Sequence, residues 1–487
     1  MKKNKKILIV GGGLGGLATA ICLSDKNFEI TIIEKNSNLG GKINYFEKNG
    51  YKFDTGPSLI TLPHIFENLF KKAGENIYEH LKLVKINPLF KYMFEENDNL
   101  IYSSDLSDLE KIFNENEIND LENFYSFLEK SSKLFRLSEK TFFQKPLFSI
   151  PTLSDLNAFI NSPFYLFLQN YSKFIEKNFQ NKKLRKIFLR YPTYVGSSPY
   201  KSSAILSVIP FMELTYGGWY IHGGIYKLIE AIEKILISKN INIIKNTKVS
   251  SINQNNGNIK SVSLDSGEEI SADIVISNVD PSITKTMIDK RAYVNEKSLS
   301  MSGLVLLVGI NKKIPEIIHH NVIFSKNYKK EFDDIFEKKQ FPSEPTVYIN
   351  CPSKTDNSLA PRNSESIFLM CNTPATSDIW GKIQIENAIY KIRKVLSKHK
   401  LEKIIDKADF IEAITPNDFE KKYASPYGSI YGKVSHGISG TIFRSSNKNN
   451  KLKGLYYVGG GVHPGGGTPT VIMSAEIVSK LIMVDYE

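Results

Sequence analysis

Two glycine-rich segments near the ends of the chain carry the strongest chemical signal in the sequence. The first follows an apolar run at 7–10 and contains the spacing Gly11, Gly13 and Gly16. In this spacing the first glycine allows a tight turn, the second lets the backbone approach a pyrophosphate, and the third lets a helix pack closely on a sheet. Glu34 closes a second apolar run at 30–33 and can bond a ribose hydroxyl. The pattern predicts strand, turn, helix and strand, with a bound adenine dinucleotide.

The second glycine-rich segment covers residues 454–470 and runs into an apolar stretch at 471–482. It again predicts a strand, a glycine turn and the start of a helix. Because helix N-termini favour negative charge, the backbone amides of Thr470 and Val471 could stabilise charge on a reduced cofactor ring.

Two shorter segments bear on the type of dinucleotide. Gly40, Gly41 and Lys42 follow Glu34 by six residues or more, and F-D-T-G-P-S follows at 53–58. Both segments would bring backbone without side-chain bulk close to the cofactor and so enclose it. A nicotinamide cofactor dissociates and needs less enclosure, so these segments argue against one. E-x(5)-G-G-[RK] followed by F-D-x-G-P resembles the flavin amine oxidase superfamily. The C-terminal segment is similar to the V-G-x-x-x-H-P-G-x-G-x-P signature of FAD-dependent carotenoid (phytoene-type) desaturases.

Residues 194–200 and 217–228 add a third match to the same desaturases, and the resemblance is weakest at 76–190 and 291–418. It implies FAD, with the backbone of Val249 at the adenine and Asn278 at a strand end near the flavin. The cofactor contacts expected from the spacing and the resemblance together are Gly11, Gly13, Leu14, Gly15, Gly16, Glu34, Lys35, Gly41, Lys42, Gly56, Pro57, Ser58, Val249, Asn278, Gly460, Gly461, Thr470 and Val471.

The chain has 487 residues, which exceeds the usual size of one hydrophobic core and predicts two lobes. The expected class is α/β, with a Rossmann-like FAD-binding lobe of the amine oxidase type and an α+β substrate lobe. We assign 1–75, 220–285 and 416–487 to the FAD-binding lobe, and 76–219 and 286–415 to the substrate lobe. Apolar spacing predicts a helix at 225–237 and strands at 241–244, 248–252, 259–264 and 274–277.

Composition argues against several other classes of protein. Cys22, Cys351 and Cys371 are the only cysteines and form no C-x-x-C pair, so we expect no metal site and a reducing cytoplasm. The formal net charge is +12, but no nucleic-acid recognition module accompanies it. The basic, apolar N-terminus imitates a secretory signal, yet cleavage there would remove every phosphate-binding glycine. No apolar run is long enough to span a membrane.

An aromatic stripe in the substrate lobe suggests contact with a membrane surface. Ser162 and Pro163 are typical of a helix start, and a basic border follows the stripe. The stripe consists of Phe164, Phe167, Leu168, Tyr171, Phe174, Ile175 and Phe179, preceded by Phe142, Phe143, Phe148 and Phe159. Such a face fits an interfacial helix, although an ordinary core helix has the same pattern. With a lipophilic carotenoid as the implied substrate, we expect a peripheral protein on the cytoplasmic face of a membrane.

The implied reaction is desaturation of a linear carotenoid such as phytoene, with hydride transfer to flavin N5, proton loss, and a quinone or oxygen as electron acceptor. Three residues are candidates for acid, base or charge stabilisation. Asp155 precedes the aromatic stripe but could be a helix cap, and Glu213 lies among apolar residues but could be structural. His463 lies among glycines and prolines and could fix its loop instead.

Other functions stay open from the sequence. Val462 stands where desaturases more often have a threonine before the histidine, so a desaturase of hydroxylated or partly desaturated carotenoids is a rival. A carotenoid isomerase, a flavin amine oxidase and a binding protein that has lost its flavin are further alternatives. The intact glycine turn and Glu34 argue against the last.

Overall fold

The fold combines a parallel sheet with a larger mixed sheet. The computed structural model describes residues 5–96, 98–147, 163, 165–442 and 444–486. Its strands are β1 (Lys5–Val10), β2 (Phe28–Ile33), β3 (Tyr45–Lys48), β4 (Tyr51–Asp54), β5 (Leu83–Lys85), β6 (Phe90–Glu95), β7 (Asp98–Tyr102), β8 (Trp219–Ile221), β9 (Asn242–Ile244), β10 (Val249–Asn255), β11 (Asn258–Leu264), β12 (Glu269–Ser271), β13 (Ile274–Ser277), β14 (Ser302–Ile310), β15 (His320–Ile323), β16 (Val347–Asn350), β17 (Glu365–Thr373), β18 (Phe410–Ile414) and β19 (Leu455–Tyr457).

Helices connect these strands and cover the sheets. The α-helices of the described ranges are Leu14–Leu23, Pro63–Lys72, Ile77–His80, Leu106–Glu115, Leu121–Ser138, Tyr165–Leu168, Tyr171–Asn178, Lys182–Leu189, Val208–Tyr216, Tyr226–Ser238, Pro281–Ile288, Tyr328–Phe336, Lys382–Ser397, Lys403–Asp406, Pro416–Tyr423, Gly437–Ile442 and Thr468–Tyr486. None of these helices has the length and apolar character that crossing a bilayer requires.

The parallel sheet has the order β19-β13-β1-β2-β9 within the described residues. Its central strands are apolar on both faces because both faces are covered. Ile7 and Ile9 pack against helices, among them Leu14–Leu23 and Thr468–Tyr486. Leu8 faces the opposite way, into the core beneath the antiparallel strands β10, β11 and β12. Because both faces of β1 are buried, the strand is fixed in the sheet, and the first glycine turn follows at its carboxyl end.

The second sheet has the order β18-β14-β17-β16-β15-β6-β7 in the part of the chain that the structure describes. Its neighbouring strands are antiparallel except for β15 and β6. Its strands come from 76–219 and 286–415, whereas those of the parallel sheet come from 1–75, 220–285 and 416–487. The exact lobe boundaries stay a prediction.

The α/β class and several local elements are confirmed. The helix expected at 225–237 is Tyr226–Ser238, and the strand expected at 274–277 is β13. The strands expected around 241–264 are β9, β10 and β11, each within a few residues of the predicted bounds. The apolar periodicity predicts these elements correctly because each strand belongs to a sheet and the helix packs one apolar face against a sheet.

The aromatic stripe was predicted as one helix, and this is wrong for the described residues. Two helices, Tyr165–Leu168 and Tyr171–Asn178, are separated at Asn170, whose side chain accepts a hydrogen bond from the Lys173 N–H and caps the second helix. The stripe residues that are buried in the core of the substrate lobe are Tyr171, Phe174, Ile175 and Phe179. They therefore do not face a membrane. Phe148, Phe159, Ser162 and Phe164 lie outside the described residues.

Candidate active site

The first glycine turn is organised around the carboxylate of Glu34. Gly11 has φ +97°, a conformation that favours glycine, and the Gly12 N–H donates to Glu34 Oε2 at 2.8 Å. Glu34 Oε1 accepts from the backbone N–H and side-chain amide of Asn36, at 2.8 and 2.7 Å. Because a carboxylate oxygen can accept two hydrogen bonds, Oε2 keeps capacity for one more. The buried Glu34 lines the cavity described below and can accept from a ribose hydroxyl there.

Asn278, just after β13, fills the space between the two glycine-rich segments. Its amide lies so that the oxygen accepts from the Gly13 N–H at 3.1 Å and the nitrogen donates to the Val458 carbonyl at 3.2 Å. A Cβ added at Gly13 would lie 2.6 Å from this amide, and one at Gly459 would lie 2.8 Å from it. Both segments therefore need glycine to pack against one side chain.

The two entry segments close on the first turn. The Gly40 N–H donates to the Gly12 carbonyl at 2.8 Å, and a Cβ on Gly41 would lie 3.2 Å from the Cα of Gly13. A Cβ on Gly56 would lie 1.9 Å from the carbonyl oxygen of Lys42. Bare backbone from three segments thus surrounds one end of the cavity, which is the enclosure expected for a tightly held cofactor.

The C-terminal segment presents a helix N-terminus to the cavity, with one correction to the prediction. The helix begins at Thr468, and the Val471 N–H already donates to the Gly467 carbonyl at 3.0 Å. The amide of Val471 therefore cannot stabilise cofactor charge. Pro469 has no N–H, so Thr468 and Thr470 supply the backbone donors that lack an intrahelical partner at this end.

A continuous cavity of about 680 Å³ joins these segments to the substrate lobe. Its volume lies in the usual range for cofactor and small-molecule sites. Gly16 does not line the cavity. A Cβ there would lie 2.5 Å from the Gly11 carbonyl oxygen, so this glycine allows the helix to pack closely on the first turn. The other predicted cofactor residues line the cavity: Gly11, Gly13, Leu14, Gly15, Glu34, Lys35, Gly41, Lys42, Gly56, Pro57, Ser58, Val249, Asn278, Gly460, Gly461, Thr470 and Val471.

The part of the cavity inside the substrate lobe is walled mainly by apolar side chains. They come from β6, β14, β15 and β17 and from the helical segments around 138–143, 191–195 and 205–212. The apolar lining residues are Phe90, Phe142, Phe143, Val195, Ile205, Leu206, Val208, Ile209, Met212, Val305, Val322, Phe368 and Met370. This composition suits an elongated apolar ligand that excludes water.

Glu213 is brought near the cavity but does not line it. Its side chain is fully buried and accepts hydrogen bonds from the hydroxyls of Tyr191 and Tyr194, each at 2.7 Å. Burial raises the pKa of Glu213, while Arg190 and the two tyrosine hydrogen bonds oppose that shift. The geometry supports the structural alternative, in which the carboxylate positions Tyr194 at the cavity wall.

His463 also takes the structural alternative. Its Nε2 donates to the Lys145 carbonyl at 2.9 Å, and its ring lies 4.4 Å from the ring of Phe142. Burial lowers the pKa of His463, while its hydrogen bond to the Lys145 carbonyl opposes that shift. His463 does not line the cavity, although Pro464 does, so the histidine fixes the glycine loop. Asp155 lies outside the described residues.

Two polar features of the cavity wall were not predicted from the sequence. Arg190 is a buried charged residue in the apolar run 187–191, and that position was the available signal. The hydroxyl of Tyr348 lies 2.6 Å from Ser58 Oγ and 2.8 Å from His320 Nδ1. This second network had no local signal, because it joins an entry segment to two strands of the larger sheet.

Comparison with known proteins gives the family. The family described as flavin containing amine oxidoreductase matches residues 14–483. The chain belongs to this family. It is 31% identical over 99% of its length to a 4,4'-diapolycopene oxygenase of Methylomonas sp, covering 99% of that protein. It is 34% identical over 98% of its length to a 1-hydroxycarotenoid 3,4-desaturase of Flavobacterium sp. (strain P99-3), covering 99% of that protein.

The family assignment establishes an FAD-dependent oxidoreductase and confirms the predicted resemblance to carotenoid-modifying enzymes. The crystal structure of a putative protoporphyrinogen oxidase from Exiguobacterium sp. 255-15 matches this fold with a TM-score of 0.61 at 16% sequence identity. The match covers 99% of each chain and supports the fold alone. The glycine segments, the helix N-terminus and Glu34 fit the phosphates and ribose of FAD.

The packing of Gly13 gives a direct test of the cofactor end. Gly13 has the extended φ of −76°, so alanine is not strained there, and its Cβ would collide with Asn278. We expect Gly13→Ala to weaken FAD binding about tenfold or more, measured by titration of the flavin-free protein. Gly381→Ala is the control, because its nearest contact is the flexible side chain of Gln384 at 3.2 Å. Equal FAD affinity in the two variants would contradict the assignment.

Lys42 predicts a pH dependence of FAD binding. Burial lowers its pKa to about 8, against the raising effect of Asp280. The dianionic cofactor favours the protonated lysine and raises its pKa on binding, so the dissociation constant is flat below about pH 8 and increases above it. Lys42→Met should remove this rise in a fluorescence titration series, whereas Lys52→Met, at an exposed strand position, should keep it. A rise that persists in Lys42→Met would show that another group is responsible.

Proposed function

We propose that this chain is an FAD-dependent desaturase of a linear carotenoid. The observation that carries the proposal is the single cavity that begins at the glycine segments and continues between apolar side chains of the substrate lobe. The names of the two carotenoid-modifying relatives support the substrate class. Phytoene or a related linear polyene is the proposed substrate.

The chain contributes mainly binding, orientation and exclusion of water. Burial of a polyene between residues such as Phe90, Val305 and Phe368 is worth about 0.8 kcal/mol per CH₂ group, so few polar contacts are needed. Bound FAD supplies a two-electron acceptor for the hydride that leaves one carbon, while the neighbouring carbon loses a proton and the double bond forms. The wall holds one C–C bond of the chain against the cofactor end of the cavity.

Amine oxidation is less compatible with this cavity. A protonated amine needs an acceptor or an anion, but Arg190 is the charged side chain among the described residues lining the substrate part. A guanidinium has only hydrogen-bond donors, so Arg190 cannot accept from an ammonium group. Oxygenation of a carotenoid, which the name of the Methylomonas relative indicates for that protein, is the second candidate and rests on 31% identity.

The decisive experiment follows the products. Purified protein with FAD is incubated with liposomes containing phytoene or its C30 analogue. The pigments are separated by chromatography and their masses are measured by mass spectrometry. Desaturation removes two hydrogens per step and shifts absorption to longer wavelength, whereas isomerisation keeps both mass and conjugation length. Added oxygen in the product would instead establish oxygenation. If no polyene reduces bound FAD in the absence of oxygen, the proposal is wrong.

The same assay identifies the electron acceptor, which we propose to be a quinone or oxygen. Reactions are run in air, without oxygen, and without oxygen but with a quinone. Turnover beyond one equivalent of FAD requires an acceptor, so the condition that restores it names the class.

We further propose that the protein binds the cytoplasmic face of a membrane peripherally, as a route for its lipophilic substrate. Tyr165 and Leu168 are 56% and 70% exposed on one short helix. Ser203, which begins the segment carrying cavity residues Ile205 and Leu206, donates to the Phe167 carbonyl of that helix at 2.8 Å. An exposed apolar site therefore adjoins the cavity wall, and the net charge of +12 favours anionic lipids.

Liposome cosedimentation tests this surface. Leu168→Glu should lower the bound fraction on anionic vesicles, because it places a carboxylate in the apolar contact. Ile383→Glu is the matched control, since Ile383 is 71% exposed at a different place. An equal effect of the two substitutions, or none from Leu168→Glu, would contradict the proposed surface.

A further inference from the structure

Arg190 is an incompletely satisfied cation in the wall of an apolar cavity. The residue is 7% exposed, and its guanidinium carbon lies 4.3 Å from the centre of the Phe90 ring. Its Nη2 donates to the hydroxyls of Tyr92 and Tyr194, at 3.1 and 2.9 Å. Its Nε is buried and has no hydrogen-bond partner among the described residues.

The charge of Arg190 is balanced within the wall. The Tyr194 hydroxyl accepts from Arg190 and donates to Glu213 Oε2 at 2.7 Å, so it links the cation to a buried carboxylate. Tyr191 donates to the other carboxylate oxygen. The other charged residues lining the cavity belong to the glycine segments and their surroundings: Glu34, Lys35, Lys42, Lys248, Asp280, Lys422 and Arg444.

This arrangement limits the chemistry of a ligand that contacts Arg190. A guanidinium has only donors, so the matching ligand atom must be an acceptor. Because Glu213 already balances the charge, a neutral oxygen is sufficient and a carboxylate is not required. A pure hydrocarbon that packs on Arg190 in the cavity wall would offer the guanidinium no acceptor, which costs free energy.

We propose that Arg190 anchors an oxygen-bearing end of the substrate, a hydroxyl or carbonyl on the polyene chain. This inference rests on the proposed function, because it takes the carotenoid as the occupant of the cavity. It adds that, among linear polyenes, the preferred substrate has one oxygenated end, which lies at Arg190, Tyr194 and Phe90.

The first test compares substrates in the unaltered protein. Polyenes of equal length and conjugation, one with a hydrocarbon end and one with a terminal hydroxyl or aldehyde, are mixed with FAD-loaded protein without oxygen. The second-order rate constant for flavin reduction should be larger for the oxygenated member by on the order of tenfold to a hundredfold, as a charged hydrogen bond gives. Equal rate constants would overturn the inference, as expected if water satisfies the guanidinium when the hydrocarbon binds.

The second test assigns the preference to Arg190. Arg190→Met and Arg190→Lys should each reduce the ratio of the two second-order rate constants, the methionine variant to near one. Arg291→Met, at a 92% exposed side chain, should keep the ratio unchanged. The visible absorption of a bound polyene aldehyde should lie at longer wavelength in the unaltered protein than in Arg190→Met, because a hydrogen bond to the carbonyl polarises the chromophore. An unchanged ratio and spectrum in folded Arg190→Met would overturn the assignment.

The outcomes separate this inference from the proposed function. If both polyenes reduce FAD without discrimination, the desaturase proposal stands and the anchor fails. If neither reduces FAD, the desaturase proposal fails, and the absorption shift of the bound aldehyde still decides whether Arg190 contacts the oxygen. If Arg190→Met does not fold, the comparison of substrates in the unaltered protein decides.

Discussion

The two glycine-rich segments can approach each other only because one side-chain amide, that of Asn278, fits between them. Strand β13 pairs with β1 on one side and β19 on the other, so residue 278 emerges between the segments that follow those strands. Gly13, Gly15 and Gly459 each lack room for a Cβ against this amide. The glycine pattern therefore satisfies a packing requirement of the protein as well as the close approach of a cofactor. A substitution there disturbs both at once.

The cofactor end of the molecule was predictable from the sequence because its signals are local. A strand, a glycine turn and a helix start occupy neighbouring residues, and their spacing has few structural solutions. The error at Val471 shows the limit of this reasoning. A shift of one residue in the helix start decides whether an amide is free or already bonded to Gly467, and spacing does not resolve one residue.

The substrate lobe was less predictable because its structure depends on distant pairings. Strand β15 pairs with β6, and β16 with β17, and the strands of the larger sheet come from both of its chain segments. The periodicity around Phe174 identified an apolar face but could not show what covers it. In the structure, Phe127 and Phe188 pack beside Phe174 and Phe179, so this part of the stripe lies in the core. The Ser58–Tyr348–His320 network was invisible for the same reason.

The buried network of Arg190, Tyr194 and Glu213 is best understood as a feature of the site. Removing charges from water is costly, and apolar residues of similar volume often stabilise a fold as well as a buried ion pair does. The wall of the substrate part is mainly apolar, so an apolar side chain would also pack at this position. Each carboxylate oxygen of Glu213 has a tyrosine partner, while Nε of Arg190 has none in the described residues. Arg190 also lines the cavity, so a ligand there lies against it.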